Sequence, residues 1–172
     1  MWTPTERELD APTDLSFTDL SGAYCVGRNF RGRLLAFANL SGANLRHASL
    51  AGADLTGALL VGADLRYSDL SRARLCLADL RDCQLYRGRL SGSFFTNADL
   101  RNANLRYATV SHSCFSGASL CGADLTRASF VISTLRHANF SGAFLRNTSF
   151  IYSDVFGAIF DNVDLESATF TV

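Results

Sequence analysis

The sequence contains no lysine. Its 16 basic side chains are all arginine, balanced by 16 Asp and Glu for a formal net charge of zero. No apolar run approaches the roughly 20 residues that a membrane-spanning helix needs, so no membrane partner is expected. The start, MWTPTERELD, lacks the basic head and apolar core of a secretory signal. The five cysteines form no C-x-x-C pair, and an odd count argues against a disulfide framework. Cys76, Cys114 and Cys121 read as free thiols of a reducing cytoplasm, with Cys25 and Cys83 as small core residues. Clustered Cys or His, which tetrahedral metal ligation requires, is missing. At 172 residues one domain is expected.

What the chain has instead is a period. Residues 38–65 read ANLSG ANLRH ASLAG ADLTG ALLVG ADL, a five-residue unit repeated without a break. With the leucine position labelled i, every fifth residue from Leu15 to Phe170 falls on it, in 32 units without insertion. These positions hold 21 Leu, 8 Phe, 2 Val and Cys25. At i−2 stand 19 Ala and 11 other small or short side chains, with Arg28 and Arg33 as exceptions. At i−1 there are 15 Asp or Asn, and 12 of the 13 glycines sit at i+2. A period of five fits neither a helix nor a flat strand. It fits a backbone that turns a corner once per unit, with Asp, Asn, Ser and Gly serving the turns. One large and one small apolar residue per unit would then line a continuous inner column, each coil touching only its neighbours.

The A(D/N)LXX pattern resembles the pentapeptide-repeat proteins, and the resemblance covers residues 13–172. It implies an all-β fold: a right-handed, four-sided parallel β-helix with i and i−2 inside. Four units make a 20-residue coil, and eight coils at a β spacing of about 4.8 Å make a rod roughly 38 Å long. Residues 1–12 lie outside the repeat. There Thr3-Pro4-Thr5-Glu6 reads as a helix start, giving a short helical cap over about residues 4–9 that would cover the first coil. Arg28 and Arg33 at inward positions leave two readings: a local departure from the ideal coil, or a reach by Arg28 towards Glu8 or Asp10. In the later coils Phe130, Phe150 and Phe170 should stack as one core column and Phe140 and Phe160 as another.

Because each side recurs every 20 residues, surface chemistry can be sorted by arithmetic. One side carries Arg46, Arg66, Tyr86, Arg106 and Arg146 at i+1, and His47, Tyr67, Arg87, Tyr107 and Arg127 at i+2. Such a basic stripe interleaved with aromatics suits phosphates or acidic partners; equally, Arg and Tyr cover a β surface well and pair with nearby Asp. The side centred on Leu20 is mildly acidic, with Asp79, Asp82 and Asp99 against Arg81 and Arg101. Outward apolar residues gather late in the chain, at Val131, Ile132, Phe144, Ile151, Tyr152, Phe156 and Ile159, the pattern of an interface. They point to a homodimer through the C-terminal end.

Catalysis is not expected. His47, His112 and His137 fall on three different sides, so no Ser-His-acid constellation can assemble. The glycines keep their period of five and form no phosphate loop. A solenoid filled by its own side chains leaves no cofactor pocket. The leading reading is a non-catalytic scaffold or protein-interaction module with an unknown protein partner. The resemblance also implies an alternative, a DNA gyrase modulator acting as a DNA mimic. A mimic should be strongly anionic to replace phosphates, and this chain is neutral. Nucleic acid is not the expected partner either, since a duplex on the Arg stripe would also meet carboxylates.

Overall fold

The computed structural model describes residues 14–171. Over that span the chain pairs with itself in parallel at a constant offset of 20 residues, from Asp14 opposite Leu34 to Asn139 opposite Ile159. On most of the surface each unit contributes a single paired residue. On one side the pairing lengthens into four three-residue strands, β1 (Thr109–Ser111), β2 (Ser129–Val131), β3 (Ser149–Ile151) and β4 (Thr169–Thr171). They form one parallel sheet in the order β1-β2-β3-β4. The expected all-β parallel solenoid with a 20-residue coil is therefore present, and no helix occurs among the described residues. The helical cap expected over residues 4–9 lies outside the described residues.

The repeat follows from where the backbone N–H groups go. The N–H of position i reaches the next coil, as Leu15 does to Leu34 O at 2.7 Å. That of i−1 reaches the previous coil, as Asn39 does to Thr18 O at 2.9 Å. That of i+2 pairs upward and that of i−2 closes the turn onto the carbonyl of i, as in Gly22 to Ser41 O and Ala23 to Leu20 O. Only the i+1 N–H is left over. Every one of the 15 Asp or Asn at i−1 turns its Oδ1 back to accept from that group, at 2.9–3.3 Å. The carboxylate or amide of the motif is thus an Asx turn that completes the backbone accounting.

The turns also explain i+2. Every residue at that position from Phe17 to Asn162 has a positive φ, 12 of them glycine and 18 not. A positive φ at the third residue with a bond from the fourth N–H to the first C=O is the type II arrangement. Glycine takes it without strain, whereas Phe17, Tyr67 or Ile132 does so against the preference of an L-residue.

Leu, Phe and Ala of positions i and i−2 form one continuous buried core from Leu15 to Phe150. The two Phe columns are present: Phe130, Phe150 and Phe170 stack at 5.2 and 4.9 Å, Phe140 and Phe160 at 5.0 Å. The columns meet edge to face, at 5.9 Å between Phe140 and Phe150. Cys25 and Cys83 are buried as expected, and burial pushes both thiols up. Around Arg28 and Arg33 the backbone keeps the standard turn, with bonds to Cys25 O and Phe30 O and φ near +66° at the preceding glycines. A local departure from the coil is therefore not what accommodates them; both side chains are half-buried. Glu8 and Asp10 lie outside the described residues.

Candidate functional site

Number the four sides by their first inward residue: Leu15, Leu20, Cys25 and Phe30. The corner after the third side carries the Arg/Tyr set, because its i+1 and i+2 positions are the central residues of a turn and project outward. The structure brings this set together as a ladder. His47 stacks on Tyr67 at 5.0 Å, Tyr67 meets Tyr86 edge-on at 5.6 Å, and Tyr86 meets Tyr107 edge-on at 5.6 Å. The Arg87 guanidinium lies 5.4 and 5.5 Å from the Tyr86 and Tyr107 rings. Arg127 lies 5.6 Å from Tyr107 and donates to its hydroxyl at 3.3 Å. Guanidinium–ring contacts of this kind contribute about 0.5–1 kcal/mol each at an exposed site, so they favour this arrangement of the ladder.

Its arginines are not equivalent. Arg66 makes two hydrogen bonds to Asp64, at 2.8 and 2.6 Å, and Arg106 stands 3.8 Å from Asp124. Burial pushes the Asp64 carboxyl up, but the hydrogen bonds from Arg66 outweigh it and hold it below the usual carboxylate range. Among the described residues Arg46, Arg87, Arg127 and Arg146 make no ion pair. A groove of about 220 Å³ opens between Arg106, Tyr107, Arg127 and Arg146. The unpaired arginines are thus spread along the ladder, Arg46 and Arg87 in its first three coils and Arg127 and Arg146 in its last three.

The acidic second side is largely self-neutralised. Arg81 and Arg101 each grip their own Asp79 and Asp99 through two guanidinium nitrogens, and Arg81 also reaches Asp99 at 3.9 Å. Asp82 accepts from the Asn102 amide at 3.2 Å.

The late apolar residues do not form one patch. Val131, Ile132, Ile151 and Tyr152 cluster at the fourth corner, Phe144 stands on the third side, and Phe156 and Ile159 flank the corner between the first and second. Phe156 is 5.8 Å from His137 and carries the Arg136 guanidinium at 5.0 Å. The last coil adds Leu165 and Phe170, exposed by 40% and 42% although they hold inward positions. A second apolar ridge lies at the first corner: Phe17 stacks on Phe37 at 5.3 Å, and Leu77 continues their column.

A groove of about 630 Å³ lies at the fourth corner, lined by Arg31, Gly32, Ala51, Gly52, Asp69, Ser71, Arg72, Arg89 and Ser91. The same twenty-residue arithmetic aligns Gly32, Gly52, Arg72 and Gly92, so its signal is in the sequence; the alternating Arg and Tyr next to it is simply the louder pattern. His47, His112 and His137 stand at three different corners. Among the described residues no three His, Cys, Asp or Glu come together as a metal site, and no helix is long and apolar enough to cross a membrane.

A family model for pentapeptide repeats matches the chain in eight copies, over residues 38–75, 78–117, 103–131, 113–150 and 133–171. Among solved structures, the chain is similar to HetL, a pentapeptide repeat protein involved in heterocyst differentiation regulation from the cyanobacterium Nostoc sp. strain PCC 7120. Identity is 31%, covering 90% of this chain and 79% of that one, with a TM-score of 0.41. It is also similar to a trypsin-treated form of QnrB1, described as a plasmid-mediated fluoroquinolone resistance protein. There identity is 17%, coverage 87% and 90%, and the TM-score 0.59. The QnrB1 likeness is one of fold. No curated protein matches.

Proposed function

The chain belongs to the pentapeptide-repeat family, and from that premise we propose that it is a non-catalytic scaffold whose third corner docks a protein partner. The observation that carries this reading is the prebuilt ladder of His47, Tyr67, Tyr86, Arg87, Tyr107 and Arg127, in which rings and guanidinium groups already hold one another. Aromatic and arginine side chains fixed before binding lose little entropy when a partner lands, which is what makes them anchors. Arg46, Arg66, Arg106 and Arg146 complete the surface. The test is affinity capture with the wild type and with Arg87→Glu/Arg127→Glu. The variant should keep the thermal midpoint and lose the captured protein; retention at equal yield would refute the docking role.

The alternative is a gyrase modulator of DNA-like form. Likeness to QnrB1 supports the rod shape alone. The charges oppose it: Asp79 and Asp99 are gripped by Arg81 and Arg101, so the side that would imitate phosphates offers few free carboxylates. A supercoiling assay with and without a fluoroquinolone separates the two. Inhibition or drug protection at micromolar protein would make the modulator the better reading.

For the C-terminal end we propose a second copy of the chain as partner. Phe156, Ile159, Leu165 and Phe170 are exposed there, and an apolar surface of that kind gains from burial. Phe156→Asp/Leu165→Asp should shift a dimer to monomer by light scattering.

A further inference from the structure

The groove at the fourth corner differs in kind from the Arg/Tyr ladder. Arg31, Arg72 and Arg89 stand around it, exposed, and none makes an ion pair among the described residues. One carboxylate, Asp69, faces them. Its Oδ1 is occupied by the Ser71 N–H at 2.9 Å. Burial pushes its carboxyl up, but the Ser71 hydrogen bonds and the charges of Arg89 and Arg31 prevail and hold it low. The groove is therefore a net cationic site even with Asp69 ionised.

Its floor is bare because of two glycines. In the i+2 columns a large side chain leans onto the residue one coil later, as Phe37 does over Gly57 and His137 over Gly157. Arg72 does the same over Gly92, which fixes the direction of its stem. Gly32 and Gly52 stand one coil apart, so nothing leans onto Gly52 and a Cβ there would meet open space. Two small residues in succession, with Ala51 beside them, create the only long gap at this corner among the described coils.

We propose that this groove binds an extended, carboxylate-bearing segment of a protein partner, whose acidic side chains meet Arg31, Arg72 and Arg89 while its backbone lies over Gly32 and Gly52. From Arg31 to Arg89 is almost three coils, about 14 Å at β spacing, which an extended chain crosses in four or five residues. The Ser71 and Ser91 hydroxyls at the rim supply neutral hydrogen-bonding groups for its backbone. A nucleic-acid duplex fits less well. It carries charge along its whole length, and the same corner continues into Val131, Ile132, Ile151 and Tyr152 after the groove ends. This site is separate from the third-corner ladder and does not rest on it.

The test is fluorescence anisotropy with a labelled oligoglutamate peptide, at an ionic strength of about 0.15 M to suppress long-range attraction. Arg72→Glu should weaken binding by about tenfold or more, since it replaces an attraction with a repulsion. Gly52→Tyr fills the floor without changing any charge and should weaken it comparably. Tyr67, Tyr107 and Tyr152 already occupy equivalent positive-φ positions, so this variant should fold, as circular dichroism will verify. Arg87→Glu/Arg127→Glu on the other corner should weaken peptide binding less than Arg72→Glu does. The proposal fails if the peptide does not bind, if Gly52→Tyr binds as the wild type does, or if the third-corner variant loses as much as Arg72→Glu. Tighter binding of duplex DNA than of the peptide, lost in Gly52→Tyr, would refute the peptide as occupant.

Discussion

Asp69 joins two arguments, since it closes an Asx turn and is the one carboxylate in the cationic groove. Asp69→Ala removes the acceptor of the Ser71 N–H at 2.9 Å. A backbone N–H that loses its partner costs about 0.5–1.5 kcal/mol net when water can partly replace it, so about 1 kcal/mol is expected at this half-exposed turn. For a chain of this size that is a fall of about 2–4 °C in thermal midpoint. Asp69→Asn keeps an Oδ1 acceptor in the same place and should keep most of that stability at neutral pH. The two variants therefore isolate the hydrogen bond from the charge.

Acid distinguishes them further. The Asp69 carboxyl is held below its unfolded value, so the folded state binds its proton less readily. Its contribution is present above an unfolded pKa of about 3.9 and is lost as pH falls through the folded value. Wild type and Asp69→Asn should differ at pH 7 and converge on acidification, as followed by denaturation at a series of pH values. Asp69→Asn should also bind oligoglutamate more tightly, because it removes the one repulsive group in the groove. Equal damage by Ala and Asn at pH 7 would refute the Asx account, and no damage by Ala would refute it outright.

Other substitutions probe the turns and the core. Gly57→Ala should cost more than Gly62→Ala: both strain a positive φ, but at 57 the new Cβ also strikes the Phe37 ring, whereas at 62 it meets nothing. Adding Phe37→Ala should recover the difference in thermal midpoint. Leu85→Ala, fully buried mid-rod, should lose about 2–5 kcal/mol in denaturant unfolding. Ser133→Ala looks harmless, since Ala is the common residue at i−2. It should nevertheless destabilise by about 1–3 kcal/mol, because the Ser133 hydroxyl accepts the buried Ser113 N–H at 3.3 Å and Ala leaves that donor unpaired. A neutral result by calorimetry would remove the role assigned to this serine.

That last case shows where sequence reading stopped. Ser93, Ser113, Ser133 and Ser153 recur every 20 residues at an inward position, yet as small residues they passed for ordinary core. In the structure Ser113 and Ser133 lack the usual turn bond; their N–H groups donate to the serine hydroxyl one coil later, at 3.3 and 3.1 Å. The turn they open is where β1 to β3 lengthen to three residues. The fold itself was legible because Leu15 to Phe170 keep one period, and burial acts on every unit alike. The Asx role of the 15 Asp and Asn was half legible: their turn preference pointed to corners, but which N–H they serve depends on the ladder.

The surface was less legible for a physical reason. Positions i and i−2 are constrained by packing, and i−1 by the spare i+1 N–H; at i+1 and i+2 the side chain itself is neither packed in the core nor needed for the ladder. At i+2 the backbone demands a positive φ, and this chain meets that demand with Gly, Phe, His, Tyr, Arg, Leu, Asp, Asn and Ile. A position that accepts both Gly52 and Tyr152 records little about fold, and its content is free to serve recognition. What it presents then depends on the residue one coil below, which either leans over it or, as at Gly32, leaves it open. Neither Arg72 nor Gly52 is informative alone; their order within one column makes the groove. A surface written in that way is read by comparing residues 20 apart, and its chemistry lies in the pairs.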